Sequence, residues 1–390
     1  MNIRILGLFL VLGFHQVFSQ QLSTQAEVSV ITIGPGTSLN DAFGHNIFRI
    51  RDRANGLDVG YDYGRFPFNE PGFYLNFAQG KLNYSIGKSK FQDLKDFYIW
   101  QNRTITEQVL NITLEEKQAL LNYLITNYKP ENRDYLYDFF FDNCATKIRD
   151  VLQVVLNNNI TFHEPENFKP QTFRSLIRDK VSANSWGSVG IDLALGSVID
   201  QQATAEEHMF LPAYIQAFFS QATIGDRKLV KSEETIYQEK PNPSNLDVLW
   251  SPLIMFSIIS VIMLGITYSD FKKQTRNKIL DATILIITTL LGILILLLWF
   301  ATDHQATAQN YNLLWAFPLN VVLAWHINKT NPRPWVLKFL KFLVIMLFLM
   351  SFHWIVGIQV FASALIPLLV ALFVRYSYLI IYFKQRVELN

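Results

Sequence analysis

The chain has 390 residues, half of them hydrophobic, a formal net charge of +2 and one cysteine, Cys144. A lone cysteine excludes an intramolecular disulfide, and the scattered histidines include no His-x-x-His or Glu-x-x-His pair that would suggest a metal site. No phosphate-binding loop and no basic nucleic-acid patch occurs, so neither a cofactor nor a nucleic-acid partner is expected.

Residues 1–19 read as a secretory signal peptide: Arg4 is the positive start, Ile5 to Phe18 is apolar, and Val17-Phe18-Ser19 precedes a cleavage site at Gln20. Residues 20–240 then mix charged and apolar residues as a soluble domain does. Strands are expected near 28–33, 46–51, 57–63 and 80–87, with Asn55-Gly56 as a hairpin turn. Helical spacing marks 91–101, 113–128 and 204–221, and a further helix from Cys144 to Leu156.

Pro241-Asn-Pro-Ser-Asn245 opens a linker, 241–248, and the composition changes beyond it. Within 249–390, five apolar segments of spanning length run at about 249–268, 279–300, 311–327, 339–356 and 358–383. The connections around Lys272 to Lys278 and Lys329 to Lys338, and the tail with Lys384 and Arg386, are basic. The positive-inside rule puts these in the cytoplasm and residues 20–240 on the outer side, where the signal peptide independently sends them.

Cys144 is either a small buried residue or a nucleophile. Asp142 and Asn143 are good N-cap residues, so Cys144 opens its helix, where free amides and the dipole favour thiolate. A thiolate nucleophile needs a base. His45 stands at the start of a strand, Asn46-Ile-Phe-Arg-Ile-Arg51, after a glycine that permits close backbone approach. Counting across the Asn55-Gly56 turn brings Asp62 and Tyr63 within diagonal reach of His45, and either could orient its ring. A surface histidine at a strand end is the plainer alternative.

A histidine opening a hairpin strand, followed much later by Asn-Cys opening a helix, resembles the circularly permuted NlpC-type and lecithin-retinol-acyltransferase-like papain relatives. Several stretches are more closely similar to the Bacteroidetes family of Lnb-type apolipoprotein N-acyltransferases. They include Ala42-Phe-Gly-His45, Tyr63-Gly-Arg-Phe66, Tyr137-Asp-Phe-Phe-Phe-Asp-Asn-Cys-Ala-Thr146 and Gly190-Ile-Asp-Leu-Ala-Leu-Gly196. Asp303-His304 and Asn310-Tyr-Asn-Leu-Leu-Trp315 extend the likeness into the membrane half.

The resemblance implies an α+β permuted papain-like periplasmic domain followed by an all-α five-span membrane domain, in a bacterial inner membrane. It implies catalysis by Cys144 and His45 and does not place a third member, for which the count across the hairpin turn offers Asp62 or Tyr63. The reaction implied moves an acyl chain from a membrane phospholipid, through a Cys144 thioester, to the α-amine of a diacylated lipoprotein. Asn143, His304, Asn310 and Asn312 are candidate substrate-binding residues. Two other readings stay open: a membrane-anchored cysteine peptidase or peptidoglycan amidase using the same pair, and a non-enzymatic sensor with a buried thiol.

Overall fold

Alternating side chains build the first hairpin of the domain. Glu27–Ile33 (β1) and His45–Asp52 (β2) pair antiparallel, with Ile33 opposite His45 and Val30 opposite Phe48. The computed structural model describes residues 20–390 apart from 67–71, 82, 242–247, 328, 330–332 and 389–390. The expected signal peptide and most of the expected linker lie outside the described residues.

Leu57–Arg65 (β3) returns along β2 after a 3-10 turn ending at Gly56, whose φ of 63° is the left-handed conformation that turn requires. Next come helix α1, Phe73–Gln79, then Asn83–Lys90 (β4), α2 (Phe91–Trp100), Ile105–Leu110 (β5), α3 (Leu114–Asn127), Asp134–Leu136 (β6) and α4 (Cys144–Val155). Among the described residues seven strands form one antiparallel sheet in the order β10-β5-β1-β2-β3-β4-β6, with β10 spanning Val230–Tyr237. Ile160–Thr161 (β7), Thr223–Ile224 (β8) and Arg227–Lys228 (β9) form a small second sheet.

The period of two divides the sheet into two faces. Val28, Val30, Phe48, Ile50, Tyr61 and Tyr63 pack with Ile148 and Leu152 of α4 and Leu121 of α3. Ile31, Ile33 and Ile47 face the other way, onto Phe91 and Tyr98 of α2. Two short helices, α5 (Phe173–Arg178) and α6 (Trp186–Ala194), lie between this body and the membrane half. The helix expected over 204–221 is instead a 3-10 turn, Glu207–Phe210, followed by α7, Pro212–Gln221. Proline is accepted at the first position of a helix but not in its interior, so the break falls at Pro212.

The membrane half contains α8 (Pro252–Lys273), α9 (Lys278–Phe300), α10 (Asn320–Ile327), α11 (Trp335–Val356) and α12 (Ile366–Glu388). Among the described residues four helices are long and apolar enough to cross a membrane, namely α8, α9, α11 and the stretch Ser363–Gln385. The segment expected to span at 311–327 is not one helix: a 3-10 turn, Tyr311–Leu314, precedes α10, whose described residues are Asn320–Ile327. At 1.5 Å per residue that stretch covers about 12 Å, well short of a hydrocarbon core of about 30 Å. Pro318 keeps the helix from reaching back through Phe317, because the residue before a proline disfavours the helical conformation.

That irregular backbone is packed against protein, as membrane depth demands. A Cβ on Gly292 of α9 would collide with the Ala316 carbonyl, and Asn320 donates to the Thr288 hydroxyl at 2.8 Å. The segment still runs from one end of the bundle to the other. Asn310 bonds carbonyls of α6 at one end, while the Ile327 carbonyl accepts from Arg276 at the other, 2.8 Å away. Near that second end, buried Arg375 pairs with Asp270 and Asp281 at 2.8 Å each.

Candidate active site

Gly44 has a φ of 87°, and a Cβ there would lie 2.7 Å from the Ile33 carbonyl oxygen. Only glycine suits both conditions, and it turns the chain so that β2 begins at His45. Cys144 is the first residue of α4. The Asn143 side-chain oxygen accepts from the N–H groups of Ala145 (2.7 Å) and Thr146 (3.0 Å), and the Thr146 hydroxyl accepts from the Asn143 N–H (2.8 Å). This reciprocal cap leaves the Cys144 N–H outside it.

Helix α4 packs on β2, and the Cys144 thiol and the His45 imidazole are close enough to shift each other's ionisation. Burial opposes ionisation of Cys144, but the His45 charge, its hydrogen bond and the Asn46 N–H outweigh that and lower the thiol below its usual value. Burial also disfavours a charged His45, yet Tyr98, Cys144 and Asp62 together hold its pKa well above the usual value. The pair is biased toward thiolate and imidazolium.

Asp62 stands beside the imidazole. Its Oδ2 lies 3.4 Å from Nε2 of His45, and its carboxylate is held by Arg65 through Nε at 2.9 Å and Nη2 at 2.6 Å. Burial opposes its charge, but hydrogen bonds from His45 and Arg65 keep its pKa below the usual carboxylate range. Ser89 accepts from Arg65 at 2.8 Å, which fixes the clamp from β4. With Nε2 facing Asp62, Nδ1 is the imidazole nitrogen left for the thiol.

The Tyr63 expectation is corrected. Neighbouring strand residues point to opposite faces, so Asp62 and Tyr63 cannot both reach His45. Tyr63 is buried in the α4-side core and donates its hydroxyl to Asn127 at 2.6 Å. Arg65 escaped notice because the same alternation would have sent it away from Asp62. A register shift between Asp62 and Arg65, at Gly64 with φ 92°, brings it back. A glycine inside a strand was the available signal. A Cβ on Gly64 would sit 3.9 Å from Cys144 Cβ and 4.0 Å from the Tyr135 hydroxyl, which is buried without a partner among the described residues.

The candidate substrate-binding residues occupy structural posts. Asn143 spends its oxygen on the cap and its Nδ2 on the carbonyls of Phe139 (2.7 Å) and Phe210 (2.8 Å). Asn310 donates to the Leu193 carbonyl (2.7 Å), and Asn312 donates to Asp192 (2.8 Å) while accepting from the Trp315 indole (3.0 Å). Both asparagines are buried and cap the carbonyl end of α6, so they join the halves rather than face a ligand. His304 meets the Phe77 carbonyl through Nε2 at 2.9 Å, and the Asp303 N–H donates to Gln79, so this loop seals the end of α1.

Further bonds hold the domain to the bundle. The Trp186 indole donates to the Trp250 carbonyl at 2.8 Å, and Arg178 donates to Phe361 at 3.0 Å. Arg178 in turn pairs with Asp192, which buried Arg174 also grips. A cavity of about 620 Å³ between residues 165–171 and Tyr214 includes none of the Cys144, His45 or Asp62 side chains.

An α+β domain that presents a cysteine and histidine from a helix start and a strand start, docked on a membrane bundle, defines a membrane-bound protein with a papain-like site. Family comparison narrows this. The Lnb N-terminal periplasmic domain matches residues 14–179 and the Lnb transmembrane domain matches residues 244–386. The chain belongs to the Lnb family of apolipoprotein N-acyltransferases. Comparison with curated proteins and with solved structures gave no match.

Proposed function

We propose that this protein transfers an acyl chain from a membrane phospholipid to the α-amine of a diacylglyceryl-cysteine lipoprotein, through a thioester on Cys144. The observation that carries the reading is the Cys144–His45–Asp62 constellation on a domain bonded to a membrane bundle. In the first step the Cys144 thiolate attacks an ester carbonyl of the phospholipid. The S–C bond forms, the ester C–O bond breaks, and imidazolium His45 gives its proton to the departing lysophospholipid alkoxide.

In the second step the lipoprotein amine attacks the thioester, neutral His45 takes the amine proton, and Cys144 leaves as thiolate. An α-amine titrates near ~8, against ~10.4 for lysine, so a usable fraction is nucleophilic at neutral pH. The Cys144 N–H, left outside the cap, is suited to donate to the tetrahedral oxyanion, and the Tyr135 hydroxyl, across Gly64 and without a partner among the described residues, is a candidate second donor. Asp62 keeps the imidazole oriented through both steps.

The arrangement of the bundle fits five crossings, one of them the broken 311–327 segment, with the basic Arg276 end and the C-terminus in the cytoplasm. The periplasmic domain then sits at the outer leaflet, beside both substrates. Incubation with phospholipid alone tests the reading: Cys144 should gain a hydroxylamine-labile acyl group. A diacylated lipopeptide with a free amine should discharge it as triacylated product, and acetylation of that amine should block discharge. Cleavage of peptidoglycan peptides with no acylation from phospholipid would give the site to an amidase.

A further inference from the structure

Arg103 lies at the same end of the sheet as the reacting pair. It precedes β5, and its Nε donates to the Gly34 carbonyl at 2.9 Å, one residue beyond the Ile33 that pairs with His45. Its guanidinium lies 5.1 Å from the centre of the Tyr98 ring, and that ring lies 6.4 Å from the ring of His45. Nη1 has a 3.3 Å bond to the Gln101 side chain. Nη2 has no partner among the described residues, although the residue is only 4% exposed.

A buried guanidinium with an idle nitrogen is costly unless something occupies it. Among the described residues no carboxylate pairs with it. Asp41 is close enough to stabilise its charge, but Oδ1 of Asp41 already accepts from the Ser38 N–H at 2.8 Å. Burial lowers the Arg103 pKa, against which Tyr98, Asp41 and Cys144 act. The Tyr98 ring, 5.1 Å from the guanidinium and 6.4 Å from the His45 ring, sets Arg103 beside the reacting pair. This buried Nη2 beside the reacting pair suits an anion carried by a molecule that also reaches Cys144.

Of the two substrates of the proposed reaction, only one must carry such an anion. The acceptor brings an amine, which a guanidinium repels. A glycerophospholipid carries its phosphodiester a few bonds from each ester carbonyl, and guanidinium is the side chain best matched to phosphate. We propose that Arg103 is the anion subsite of this enzyme and binds the phosphodiester of the acyl-donor phospholipid, setting its ester carbonyl before Cys144. This inference rests on the acyl-transfer reading and adds the means of donor selection.

The test uses the full chain in mixed micelles. Acylation of Cys144 is followed by intact mass with two donors of equal chains, a phosphatidylethanolamine and a diacylglycerol that lacks phosphate. The ratio of the two rates cancels any general loss of active protein. Arg103→Gln should reduce the phospholipid preference by ~10-fold or more, through KM more than kcat, and Arg103→Lys should recover part of it. An unchanged ratio in Arg103→Gln overturns the proposal.

A binding arm keeps the subsite separate from the chemistry. A non-hydrolysable ether phospholipid should raise the melting temperature of Cys144→Ala, and adding Arg103→Gln should remove most of that rise. If neither donor acylates Cys144, the transfer reading fails while this arm still decides the subsite. A rise with inorganic phosphate but none with the ether lipid overturns the assignment to donor lipid.

Discussion

Asp62 holds His45 by one oxygen, 3.4 Å from Nε2, while Arg65 grips its other oxygen at 2.9 and 2.6 Å. The carboxylate thereby orients the imidazole and favours its charged form, and Arg65 keeps the carboxylate ionised although it is buried. Asp62→Asn should lower the rate of Cys144 acylation by ~10–10³-fold, and Arg65→Ala by less. Tyr63→Phe should leave that rate nearly intact and lower stability by about 1 kcal/mol, because it loses only the bond to Asn127. Single-turnover rates and thermal melts of the three variants check the division. A slow Tyr63→Phe of normal stability would restore Tyr63 to the site.

The lowered Cys144 pKa and raised His45 pKa both favour the thiolate–imidazolium pair. Thiolate is lost as pH falls through the lowered thiol value, and the imidazolium is lost as pH rises through the raised histidine value. Alkylation of the native protein by iodoacetamide should therefore persist below the usual thiol range. In His45→Ala its inflection should move up toward an ordinary thiol, and acyl transfer should fall by ~10²-fold or more. A Cys144 that ignores the reagent until the protein unfolds would favour a buried thiol in a sensor protein.

The hairpin that carries His45 and the helix opened by Cys144 were legible because their signals are local. A strand alternates, Asn55-Gly56 turns the chain, and Asp-Asn caps a helix. Asp62 was within reach on the same counting, but choosing it over Tyr63 required the register, Ile47 opposite Asp62. Arg65 and Arg103 were hidden because no local pattern places them: a bulge turns Arg65 back onto Asp62, three residues away, and the turn between α2 and β5 sets Arg103 against the Gly34 carbonyl. Asn310 and Asn312 misled for a related reason. Polar residues near a membrane satisfy carbonyl ends of helices as readily as they bind substrates, and the sequence does not say which.

Those asparagines should accordingly report on assembly rather than on substrate. Asn312→Ala leaves the Asp192 carbonyl and the Trp315 indole without their partner, at a cost of about 1–3 kcal/mol. The expected result is a lower melting temperature and faster proteolysis between the two halves, with KM for phospholipid unchanged in the protein that remains folded. A selective rise in KM at normal stability would return Asn312 to a substrate role.

Removing the bundle should separate the chemistry from its delivery. The buried residues of the main core, from Leu22 to Leu229, all belong to the periplasmic part, so residues 20–240 are expected to fold without the helices. The cut exposes the side of α6 that carries Val189, which packs with the bundle, so the fragment should need mild detergent to stay monomeric. Cys144 should retain its reactivity with iodoacetamide, because His45, Asp62 and Arg65 all remain. Acylation from phospholipid in vesicles should fall by ~10²-fold or more, since the fragment must now find a surface on which the full chain is held. Short-chain phospholipid dissolved as monomers should narrow that deficit. A fragment that acylates as fast as the whole chain from vesicles would show that the bundle contributes no proximity to the reaction.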